Sequence, residues 1–90
     1  MTDLDRIAKT EALFAEACQR NGFWVSPDGR IGATDVEKLL GWREGSFASR
    51  VRLGSAPPVY RIGGGGHKQT VRLTDLAAWF ESHLIRDDVA

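Results

Sequence analysis

Glycine and proline cut the second half of this chain into pieces too short for anything but a small mixed fold. Between Gly41 and Leu73 stand Gly54, the pair Pro57-Pro58 and the run Gly63 to Gly66. Proline lacks the amide a helix needs, and glycine readily takes the left-handed conformation that stops one. These breaks leave a helix up to Leu53, a β-type run Val59-Tyr60-Arg61-Ile62, a flexible glycine tip and a returning run Gln69-Thr70-Val71-Arg72-Leu73. The two runs read as a β-hairpin.

Ahead of that hairpin lies a strong helix-start pattern. In Thr34-Asp35-Val36-Glu37 the threonine hydroxyl is placed to accept from the amide three residues on, and Glu37 to reach back to the threonine amide. The helix it starts would bury Val36, Leu39 and Leu40 and stop at Gly41. After a turn at Gly41-Trp42-Arg43, a second helix runs to about Leu53 with Phe47, Ala48 and Val51 on one side. At about 100° per residue the opposite direction passes through Ser46, Ser49 and Arg52, with Arg43 and Arg50 at the flank. Two short helices about a glycine-containing turn, the second with a polar, cationic outer face, make a helix-turn-helix.

The ends of the chain complete the expected fold. From Asp3 to Asn21 the residues Leu4, Ile7, Ala8, Phe14, Ala15 and Cys18 follow helical spacing, and Asn21-Gly22 is the stop. Phe23-Trp24-Val25, the turn Ser26-Pro27-Asp28-Gly29 and Arg30-Ile31 predict a small hairpin. Thr74 caps a last helix whose inward stripe is Leu76, Trp79, Phe80 and Leu84, and the tail from Arg86 frays. The expectation is an α+β chain: a winged helix-turn-helix with a two-stranded wing, a C-terminal helix and an added N-terminal helix. Residues 1–30 form the N-terminal helix and short hairpin; residues 31–86 form the DNA-binding domain.

Charge points at the same segment. The formal net charge is zero, yet residues 43 to 72 hold Arg43, Arg50, Arg52, Arg61, Lys68 and Arg72 against Glu44 alone, a net +5. Residues 1–42 carry −2 and residues 73–90 carry −3. Surface potential follows local density and decays over roughly 8 to 10 Å at ordinary salt, so segregated charge matters more than the total.

Other functions find little support. A length of 90 residues fits one domain with a modest core. The lone Cys18 forms no internal disulfide and suits a reducing compartment as a buried small hydrophobe. There is no membrane-length apolar run or signal-peptide layout, and the chain reads as cytoplasmic. His67 and His83 lack partner cysteines for zinc. The glycine run is no phosphate-binding loop, since His67 precedes Lys68, Gln69 follows it and the next run is strand rather than helix. No catalytic triad is legible, so the chain reads as a non-enzyme without a cofactor.

The residues Ala33 to Trp42, Gly54, Pro57 to Gly63 and Val71 to Phe80 resemble the winged helix-turn-helix domains of phage excisionases and AlpA-type regulators, in the wider MerR-like group. The resemblance covers residues 31–84. Pro58 to Gly63 is also similar to the pyocin-activator proteins, and Gly63 to Lys68 to the wing tip of lambda-type small terminase subunits. Two places depart from the excisionase pattern: Arg50 stands where an aromatic or large apolar residue is frequent, and Glu44-Gly45 replaces a serine- and arginine-rich helix start.

This resemblance implies a sequence-specific binder of double-stranded DNA, a transcriptional regulator or a recombination directionality factor. Ser46, Ser49 and Arg50 or Arg52 would meet base edges in the major groove. Arg43, Arg61, His67, Lys68, Gln69 and Arg72 would supply the remaining contacts, the wing cations meeting phosphate or the minor groove. Two alternatives stand beside it: a DNA-packaging adaptor, or a protein-binding module on a winged fold. The N-terminal helix is either an oligomerisation element, giving a homodimer or cooperative oligomer on DNA, or a local helix packed on the same core.

Overall fold

The chain begins with its longest helix. In the computed structural model, which describes residues 2–61 and 69–84, α1 spans Asp3–Asn21. Its start is a capping box: Asp5 N–H donates to the Thr2 hydroxyl at 3.1 Å, and Thr2 N–H donates to the Asp5 carboxyl at 3.2 Å. There follow β1 (Arg30–Gly32), α2 (Ala33–Leu40), α3 (Ser46–Leu53), β2 (Tyr60–Arg61), β3 (Gln69–Arg72) and α4 (Leu73–Glu81). Among the described residues this is a small α+β domain with four helices and a three-stranded antiparallel sheet in the order β1-β3-β2. The tip Gly63 to Gly66, with His67 and Lys68, and the tail from Arg86 lie outside the described residues.

Several local expectations give way to longer-range partners. The hairpin expected within residues 23–31 does not form. The Ser26–Gly29 turn is present, closed by Gly29 N–H to Ser26 O at 2.9 Å, but the strand leaving it pairs Ile31 with Val71. That pairing buries Ile31 completely, whereas Trp24 and Val25 stay exposed. The expected two-stranded wing is therefore two thirds of a larger sheet, with Tyr60 opposite Thr70 and Arg61 opposite Gln69.

The capping box at Thr34 is absent as well. α2 starts two residues earlier, with Gly32 at the cap position and no side-chain cap, and Glu37 turns inward instead. Thr74 likewise lies inside α4, which begins at Leu73 without a side-chain cap; its neighbour Asp75 accepts from the Tyr60 hydroxyl at 3.2 Å.

The core gathers one or two residues from most elements: Cys18, Ile31, Val36, Phe47, Val71, Leu73 and Leu76. Phe47 is the largest fully buried side chain, and truncating such a residue typically costs about 3–5 kcal/mol. For a domain of this size that is a large part of a total of about 5–15 kcal/mol. α1 packs on α4, with Phe14 edge-on to Phe80 at 5.7 Å and the Thr10 hydroxyl donating to Glu81 at 2.8 Å. The apolar stripes are narrower than expected. Leu4, Ala8 and Ala15 of α1, Ala48 of α3 and Phe80 of α4 are exposed, as is Leu84 beyond the end of α4. No helix among the described residues is long and apolar enough to cross a membrane.

Candidate nucleic-acid interface

α2 and α3 are joined by a turn that only glycine serves comfortably at both ends. Gly41 has φ 71° and Gly45 has φ 87°, left-handed values that side chains resist. Gly45 is also the residue that precedes α3, so the helix has no side-chain cap of its own. Glu37 supplies the missing acceptor from α2: its Oε2 takes the Phe47 amide proton at 2.9 Å, and the residue is only 5% exposed. An acidic group at the positive end of a helix is favourable. One contact thus ties the start of α3 to the middle of α2. Helical spacing had assigned Glu37 to Thr34, and nothing local signals the true partner ten positions away.

The turn before α3 takes up two residues of the basic segment. Glu44-Gly45 belongs to the turn and the helix begins at Ser46, whose amide donates to Arg43 O at 3.0 Å. Ser46, expected to face outward, is half-buried with its hydroxyl covered and unpartnered, because it sits against that turn.

Arg50 packs against an aromatic series. Its guanidinium lies 4.0 Å from the centre of the Trp42 ring, and Trp42 meets Trp79 edge-on at 5.7 Å. His83 continues the series, 4.3 Å from Trp79. A groove of about 250 Å³ lined by Leu40, Trp42, Arg50, Trp79, Phe80 and His83 runs beside this stack. Arg50 is thus half-buried with its guanidinium against an aromatic ring.

The open side of α3 carries Ala48, Ser49, Arg52 and Leu53. Arg52 is exposed and donates to the Ser49 hydroxyl at 3.3 Å. Leu53 was not singled out by its sequence position, yet it is 81% exposed. Among the described residues no carboxyl group pairs with Arg43, Arg50, Arg52 or Arg61.

The strand half is more committed to its own structure. Arg61 is exposed on β2, and Gln69, its partner across the ladder, is half-buried. Arg72 lies 4.9 Å from the Tyr60 ring and donates to Asp28 at 3.4 Å, with its Nε buried and unpartnered. Arg30 holds the same Asp28 through Nε at 2.9 Å and reaches Thr70 at 2.9 Å, while Thr70 donates to Tyr60 O at 3.1 Å. The Ser26 hydroxyl also donates to Asp28. That hydroxyl and Arg30 hold the Asp28 carboxyl down at about 2. This network ties the turn before β1 to β3 and β2. His67 and Lys68 lie beyond the described residues. No protein-family model, no curated protein and no solved structure matches the chain.

Proposed function

We propose that the chain is a winged helix-turn-helix protein that binds double-stranded DNA sequence-specifically, with α2 and α3 as its two helices and β2–β3 as its wing. In this reading α3 enters the major groove and presents Ser49 and Arg52 to base edges, while Arg43 and Arg61 meet phosphate. The observation that carries it is local: four arginines without carboxyl partners among the described residues fall between Arg43 and Arg61, against the single acid Glu44. The tie between the start of α3 and Glu37 of α2 supports it, because base readout needs fixed side-chain positions. The excisionase-like pattern of residues 31–84 supports a role for a phage or mobile element, as transcriptional regulator or recombination directionality factor.

Selection of bound fragments from random duplex DNA, followed by sequencing, tests the reading. A recurrent enriched motif is expected, with half-site spacing reporting the oligomer. Recovery of unselected sequence would contradict it.

A further inference from the structure

Leu53 is out of place on its helix. It closes α3 at 81% exposure, beside the exposed Arg52 and one turn after Ser49. Long helical side chains lean toward the helix N-terminus, so Leu53 covers the patch over Ser49 and Arg50. The patch is thus one large apolar group with the two arginines Arg50 and Arg52 just before it in sequence.

A neutral apolar partner fits such a patch poorly, because it would cover guanidinium groups without pairing them. A polyanion fits the charge, and the major groove of a DNA duplex offers one exposed apolar group, the C5-methyl of thymine. From this we infer that Leu53 reads thymine in the bound site by packing on that methyl, with Arg52 donating to a neighbouring base. The inference rests on the DNA-binding reading above and narrows its substrate to thymine-bearing DNA. RNA has uracil without the methyl, and its deep, narrow major groove excludes side chains.

Uracil substitution isolates the contact, since it removes the methyl and leaves base pairing intact. In a selected duplex, replacing thymine by uracil one position at a time is expected to weaken binding roughly fourfold at one or two positions, the worth of one buried methyl. Leu53→Ala should bind the thymine duplex about as weakly as the parent binds the uracil duplex, and should no longer distinguish them. Because the side chain is exposed, the variant should melt with the parent. Equal affinity of the parent for every uracil duplex overturns the inference and leaves DNA binding standing. Retained discrimination in Leu53→Ala overturns it too, as does a fall in oligomeric mass with the thymine preference intact. Failure to enrich any duplex removes both readings together.

Discussion

Asp28 and Cys18 show how single side chains are committed to the fold. Asp28 gathers the Ser26 hydroxyl, Arg30 and Arg72, and its carboxyl sits at about 2 against an ordinary 3.8. A lowered folded value means stabilisation that is complete above the unfolded value and lost as pH falls toward 2. Urea midpoints of the parent and Asp28→Asn should therefore differ at pH 7 and converge near pH 2; a constant gap would contradict the assignment. Solvent screens this group, so the gap at pH 7 should be modest. Cys18 is fully buried, and burial, followed by the nearby Asp35 charge, pushes its thiol up. Its modification by a thiol reagent should keep pace with global opening. Rapid labelling of the native protein at neutral pH would show that α1 detaches.

Among the elements, α3 depends most on a neighbour. Gly45 gives it no cap, and the Glu37 carboxyl from α2 takes the Phe47 amide. Glu37→Ala should lower stability by about 1–2 kcal/mol, since it strands a buried amide. Glu37→Gln retains an acceptor and should lose less, as thermal unfolding would show. Equal losses would mean that the contact to Phe47 is not what matters. Helix ends were legible in the sequence wherever glycine set them: Gly22, Gly41 and Gly54 each follow a helix as expected. Helix starts at Thr34 and Thr74 were not: the helices begin at Ala33 and Leu73 without a side-chain cap, and Glu37, expected to reach back to Thr34, accepts from Phe47 instead. The same limit hid the partner of β1: Arg30-Ile31 read as a strand, but Ile31 pairs with Val71, forty positions away. Short-range chemistry is read from neighbours; tertiary competition is not.

At the scale of the molecule, the first helix is built into the structure it precedes. α1 places Cys18 in the core and Phe14 against Phe80. A fragment starting at residue 23 should consequently lose cooperative unfolding; a sharp transition in that fragment would show that α1 is an accessory. The charge pattern was legible because it is a property of composition by segment. The division of labour within it was not: Arg72 proves to be tied to Asp28 and Tyr60, and Arg50 to Trp42, whereas Arg43, Arg52 and Arg61 stand exposed. The central claim is that these exposed arginines meet DNA phosphates and bases. It is tested most directly by the salt dependence of affinity for a selected duplex, measured on the parent and on a variant with Arg43, Arg52 and Arg61 all changed to alanine. The parent should show a log-log slope of about −0.9 for each phosphate neutralised, and the variant, which lacks the phosphate contacts of Arg43 and Arg61, should bind more weakly with a slope flatter by about 1.8. Identical slopes and affinities for the two proteins would contradict the account.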